Sequence, residues 1–253
     1  MINYFDLVNL FGDKINKSYI FHIPHSSSDI PDRTGFIEEK IVEEIDLLTD
    51  HSTDKIFDLL NVDKLIFPHS RIFCDVERLD DDLEPMYKFG RGFYYTKTDG
   101  GDVLRISDEN HKQIIYKKYY LPHHNQLRKM VEDKLNSIGF AIIVDCHSFS
   151  NTPFKTDLDK ENDRPDICIG VDDFHTPKDW LYEIKKSFEN NGLVVKVNSP
   201  YSGTIIPIEY YKQNENVMSI MIEINKRVYM HNNKISENSI NRLNSMLKDI
   251  FIF

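Results

Sequence analysis

Two histidines, His25 and His147, each close an apolar run and are each followed by serine, in SYIFHIPHSSS (18–28) and AIIVDCHSFS (141–150). Side chains alternate between faces on an extended strand, so Asp145 and His147 share one face and Cys146 lies on the other. That excludes an easy cysteine–histidine nucleophile pair and leaves an imidazole beside a carboxylate, the make-up of a metal ligand and its orienting partner. For either histidine alone, a hydrogen-bonded core residue at a strand end is the plainer explanation; their repetition counts against it. Asp50, in LTDHSTDKIFDLL, is placed either to cap a helix or to face the same site. Glu223 is embedded in SIMIEIN, where a carboxylate is costly unless paired or functional. Two histidines and one carboxylate make a catalytic zinc set that leaves a coordination position for water, and a further glutamate can move that water's proton. Arg71 and Arg78, in SRIFCDVER, suit either ion pairs with Asp75 and Glu77 or a fork for a substrate carboxylate. One zinc on His25, Asp50 and His147, with Glu223 as base and the arginines as acid receptors, describes amide hydrolysis of an N-acylated acidic amino acid.

The elements that must position these groups alternate along the chain. Apolar, β-branched runs predict strands over 18–23, 62–67, 70–78, 140–145, 166–171, 193–197 and 217–230. Helical patterns cover 36–48, 107–138 with an interruption at Pro122, 178–191 around the single Trp180, and 236–253. A helix starting near Thr49 or Asp50 would turn Ile56, Leu59 and Leu60 toward the sheet. This alternation predicts an α/β fold with a mixed, mostly parallel sheet covered on both faces, whose strand exits form the ligand-binding edge. The turn-rich stretch from Leu79 to Asp102 reads as a wall or lid, and Asp80, Asp81 and Asp82 within it as a solvated turn. The loop NSPYSGTIIP presents Tyr201, as a substrate contact or as plain turn structure. His111, His123 and His124 read as surface or supporting residues.

The 253 residues suffice for one sizeable core, and with no repeat or linker the expectation is a single domain over 1–253. A formal net charge of −10, with the acidic residues spread along the chain, excludes the concentrated basic face that nucleic acid requires. The absence of a long apolar run or basic leader predicts a cytoplasmic protein without a membrane span, acting on a small molecule as a monomer or small homo-oligomer. Cys74, Cys146 and Cys168 lie in apolar runs without paired spacing, so they read as buried thiols.

Five strings in order, IPHSS with Pro31, SRIFCDVER, IVDCHS, VNSPYSG and IEINKRVYM, resemble the N-formylglutamate amidohydrolase family over about 21–230. That family is similar to the zinc carboxypeptidases and aspartoacylases. The resemblance implies a three-layer α/β/α fold of the carboxypeptidase-like, phosphorylase/hydrolase type. It implies His25 and His147 as zinc ligands, Glu223 as general base, and Arg71 and Arg78 as groups that bind substrate carboxylate or polarise its carbonyl. Tyr201 and Ser148 complete the expected substrate-binding set. The sequence departs from the pattern at several points. Ser28 stands where related enzymes carry a ligating glutamate, so Asp50 is the preferred carboxylate ligand, with Asp75 and Asp29 behind it. Glu77 occupies a position that is usually asparagine, Ser27 one that is frequently glycine, and Met221 one that is commonly glutamine; Thr204 follows a glycine that is often doubled. These changes fall in the pocket more than in the zinc set, which leaves open another N-acyl amino acid or small peptide as substrate, or a non-catalytic binding domain of the same fold. A serine hydrolase built on Ser148 lacks the GxSxG elbow.

Overall fold

The computed structural model describes residues 3–251 apart from 82 and 233, so Asp82 of the acidic run and the last two residues of the expected final helix lie outside the described residues. Six strands form one sheet: β1 Tyr19–Ile23, β2 Asp63–Ile66, β3 Ala141–Phe149, β4 Ile167–Gly170, β5 Val195–Val197 and β6 Val217–Asn225. Their order is β2-β1-β3-β6-β4-β5. Pairing is parallel throughout except between β4 and β6, which run antiparallel. This is the mixed, mostly parallel α/β sheet that the alternating pattern implies.

Among the described residues, seven α-helices accompany it: α1 Tyr4–Phe11, α2 Glu38–Leu48, α3 Thr53–Ile56, α4 Glu109–Ile115, α5 Leu121–Ile138, α6 Lys178–Asn190 and α7 Glu237–Phe251. Both central strands, β3 and β6, are buried along all nine residues, which is why they read as unbroken apolar runs. Their two faces bury different things. Phe21, Ile142, Val144, Ile220 and Ile222 join Trp180 of α6 and Leu243, Leu247 and Phe251 of α7 in the larger core. Ile20, Ile143 and Val217, on the opposite face, pack under Leu127 and Val131 of α5. That second face turns polar toward the strand exits, where His22, Asp145, His147 and Glu223 continue the same alternation. Register sets the neighbours: His22 lies beside Asp145, and His147 beside Glu223.

Three expectations are corrected. SRIFCDVER is a series of turns over 70–78, not a strand. Its backbone carbonyls at Ile72 and Phe73 are satisfied by the buried Arg105 guanidinium, at 2.6 and 3.0 Å, instead of by a neighbouring strand. Asp50 does not cap α3. Ser52 precedes that helix, Asp50 offers its carbonyl to the Thr53 N–H, and its carboxylate is free to turn elsewhere. Leu60 is exposed, because α3 ends at Ile56 and the chain beyond it turns Phe57 and Leu59, but not Leu60, into the core beside Ile56. The interruption expected at Pro122 is present, but as a π turn over Tyr116–Tyr120 just ahead of it.

Arg105 also accounts for the shape of the 70–105 region. It bonds the Tyr95 carbonyl and lies 4.3 and 3.7 Å from the ring centroids of Phe36 and Tyr94. Arg105→Met keeps the length but leaves three buried carbonyls without their donor, so urea unfolding should show a loss of about 2 kcal/mol or more. An unchanged midpoint would mean that these turns are held by packing alone.

Candidate active site

The site forms where β1, β3 and β6 end. His25 follows β1 past Pro24, and its carbonyl accepts the Asp50 N–H at 2.9 Å, tying the turn after α2 to the strand exit. The Nδ1 atoms of His25 and His147 stand 3.3 Å apart. Asp50 Oδ2 is 3.1 Å from His147 Nδ1 and 3.8 Å from His25 Nδ1, and it also accepts the Ser148 N–H. The structure therefore brings His25, Asp50 and His147 together through one nitrogen of each ring.

The opposite nitrogens are held separately. His25 Nε2 is 2.8 Å from Asp75 Oδ1. Asp75 is wholly buried and receives Arg71 through Nε and a terminal nitrogen, the Tyr95 hydroxyl at 2.7 Å and the Glu77 N–H. His147 Nε2 lies 2.9 Å from Glu77 Oε2 and 3.2 Å from Asp145 Oδ1. Burial disfavours a charge on His147, but Glu77 and Asp145 outweigh it and hold the imidazolium well above its usual range. Burial likewise opposes ionisation of Asp50, and the two histidines overcome it, keeping its carboxyl below the ordinary carboxylate range.

Glu223 is the opposite case. It lines the cavity beside His147, is buried, and its Oε2 has no hydrogen-bond partner among the described residues. Burial raises its pKa to about 8, with the Asp50 charge pushing the same way against the pull of His147. The cavity measures about 510 Å³, within the range of small-molecule sites.

The remaining sequence candidates divide. Arg71 and Arg78 both line the cavity, but Arg71 is pinned to Asp75, whereas Arg78 has a buried Nε without a hydrogen bond and sits 3.5 Å from Glu84. Tyr201 lines the cavity from its loop, its hydroxyl bonded to Asp157 and Arg164. That loop can approach because Gly170 of β4 has no side chain; a Cβ there would collide with the Gly203 carbonyl. The Ser148 hydroxyl accepts from Tyr229. Asp29 is exposed and pairs with His69, so it stands outside the cluster.

Sequence reasoning missed three contributors. Glu77 stood out only as an ion-pair candidate for the arginines and as a departure from a family pattern, yet its carboxylate reaches both His147 and His22. His22, inside an apolar strand, gives no sequence signal beyond its alternation with Ile20. Lys226 is half-buried next to this region, its Nζ on the Leu47 carbonyl, and desolvation holds its ammonium below the usual range. Ligand atoms of His25, Glu77 and His147 lie within 4.8 Å of one another, as do those of His22, Glu77 and Asp145. Such buried nitrogen–oxygen donor groups can hold a metal ion.

A mostly parallel sheet whose strand exits gather buried histidines and carboxylates around a cavity of small-molecule size can hold a metal ion and act on a small ligand. The model of the N-formylglutamate amidohydrolase family matches residues 17–230, and the chain belongs to that family, whose members are hydrolases of amide C–N bonds. Among solved structures, it resembles the N-formylglutamate amidohydrolase from Ralstonia eutropha JMP134 with a TM-score of 0.80 at 19% identity, covering 93% of this chain and 91% of that one. The gene product Atu2144 from Agrobacterium tumefaciens gives a TM-score of 0.67 at 14% identity, over 93% of this chain and 89% of the other. No curated protein sequence matches significantly. Among the described residues, no helix is long and apolar enough to cross a membrane.

The raised pKa of Glu223 carries a stability consequence for the protein without a bound ion. A carboxyl that folds with its pKa raised from 4.5 to about 8 favours the folded state below about 4.5 and loses that contribution as pH rises through 8. Glu223→Gln cannot ionise, so its melting temperature should gain on wild type progressively from pH 5 to pH 9. A difference independent of pH would show that Glu223 ionises as freely folded as unfolded.

Proposed function

We propose that the protein is a zinc-dependent amidohydrolase that cleaves an N-acylated acidic amino acid such as N-formyl-L-glutamate, giving formate and L-glutamate. The observation that carries this reading is the convergence of His25 Nδ1, His147 Nδ1 and Asp50 Oδ2 within 3.8 Å, with the other nitrogen of each ring held by a carboxylate. A tetrahedral zinc has donor–donor edges of about 3.3 Å at ordinary bond lengths, which this set approaches without rearrangement. Asp50 is preferred over Glu77 as third ligand because Glu77 meets His147 on the opposite nitrogen. Asp75 takes the part of an orienting partner for His25, not a ligand.

A zinc ion in this position supplies Lewis acidity toward a carbonyl oxygen and lowers the pKa of water to about 7. Glu223, with an unpartnered oxygen in the cavity, takes the proton of the attacking water and passes it to the leaving amine. Arg71, fixed by Asp75, polarises the substrate carbonyl, and Arg78 receives the substrate carboxylate with the guanidinium edge that Asp75 and Glu84 leave unsatisfied. Tyr201 closes the far wall, and the Ser148 backbone steadies Asp50.

The test is the zinc content of purified protein together with amine release from N-formyl-L-glutamate, with and without chelator. Bound zinc and chelator-sensitive release support the proposal, whereas metal-free protein that still hydrolyses overturns it. Glu223→Gln should retain zinc and lose on the order of 10²–10⁴-fold in turnover, and a near-normal rate would remove it from proton transfer. Arg78→Ala should raise KM for acidic N-acyl substrates and spare uncharged ones; an equal loss on both would contradict its role as carboxylate receptor.

A further inference from the structure

The floor of the cavity contains a second donor group that the proposed chemistry leaves unused. His22 is wholly buried, and its Nε2 is 2.8 Å from His123 Nε2 on α5. Only one proton fits between two nitrogens at that separation. His123, held neutral by burial and by its proximity to His22, serves as the acceptor, and His22 as the donor. The other nitrogen of His22, Nδ1, then faces two carboxylate oxygens, Asp145 Oδ1 at 2.9 Å and Glu77 Oε1 at 3.4 Å. Burial opposes a charge on His22, but in the absence of an ion Asp145 and Glu77 overcome it and hold a proton on Nδ1. A metal ion can take that proton's place, because one donor atom from each of His22, Glu77 and Asp145 lies within 4.8 Å of the others.

We propose that the protein binds a second divalent transition-metal ion through His22 Nδ1, Asp145 Oδ1 and Glu77 Oε1, beneath the cavity floor. The separations of 2.9 and 3.4 Å bracket the edge of about 3.3 Å expected for a tetrahedral zinc. An imidazole with two carboxylates suits zinc or its neighbours better than magnesium or calcium, which prefer all-oxygen shells. The outer contacts are already formed: His123 fixes the His22 tautomer, and the Ile205 N–H donates to Asp145 Oδ2. Glu77 presents Oε1 to this site and Oε2 to His147, so one carboxylate links the two metal positions. The ion would offset the charges of Glu77 and Asp145 next to a cavity meant for an acidic substrate. The inference rests on the proposed function only in assigning His147 Nδ1 to the first ion; its own donors are different residues.

The experiment is the zinc retained per chain after chelator treatment, reconstitution and desalting, measured on wild type, Asp50→Asn and His22→Gln. The expected counts are two, one and one. A wild type with one zinc that survives in His22→Gln and is lost in Asp50→Asn overturns the second site and leaves the first. One zinc lost in His22→Gln and kept in Asp50→Asn overturns the first instead, and a wild type that retains none overturns both. If His22→Gln does not fold, zinc anomalous diffraction from wild-type crystals decides. A peak at bonding distance from His22 Nδ1 supports the second site, and a single peak at His25 and His147 removes it.

Discussion

A carboxylate with no access to water must have its lone pairs met by protein, and Asp75 is where that requirement organises the whole site. It is fully buried, yet its two oxygens collect the His25 ring, the Arg71 guanidinium, the Tyr95 hydroxyl and the Glu77 backbone. Each partner is fixed in turn. His25 is oriented with Nδ1 toward His147, Arg71 is held at the cavity wall, and the 75–78 turn is set so that Glu77 and Arg78 point where they do. Arg71 chiefly counters the burial cost at Asp75, which remains ionised well below the usual carboxylate range. Removing Arg71 would leave Asp75 as an uncompensated buried charge, among the more damaging changes open to a folded protein, and removing Asp75 would do the same to Arg71.

The sheet supplies the second constraint. Because β1, β3 and β6 are neighbours in parallel register, the pairs His22–Asp145 and His147–Glu223 are set by backbone hydrogen bonding before any side chain chooses a rotamer. The same face carries Ile20, Ile143 and Val217 under α5 a few residues earlier. A slip of one residue would exchange that polar row for the apolar row of the larger core. Fold stability and site geometry are thus two readings of one register.

Much of this was legible in the chain. His25, His147 and Glu223 stand out because each is a titratable group at the end of an otherwise apolar run, and a strand exit is the one place where such a group reaches both core and solvent. Asp50 was found for its type and position, although its expected helix-capping role is absent. The turns at 70–78 were misread for a physical reason. Ile72, Phe73, Cys74 and Val76 are as apolar as a strand, but the carbonyls of Ile72 and Phe73 are satisfied by an arginine some thirty residues later, a partnership that no local pattern encodes. His22 and Glu77 escaped for the same reason: their meaning depends on α5 and β3, which meet them only in space. The family resemblance, carried by five short strings, was borne out across most of the chain.

The sheet's two ends have a consequence for how copies of this molecule meet. Its outermost strands, β2 and β5, are only four and three residues long. β2 carries Asp63 and Lys64, which pair with Lys134 and Asp58, and β5 carries Lys196, paired with Asp163. A neighbouring chain adding its own strand at either border would have to strip solvent from these charges for very few ladder hydrogen bonds. Short, charged borders of this kind discourage edge-to-edge aggregation, so the long apolar strands at the centre of the fold stay sequestered from intermolecular pairing.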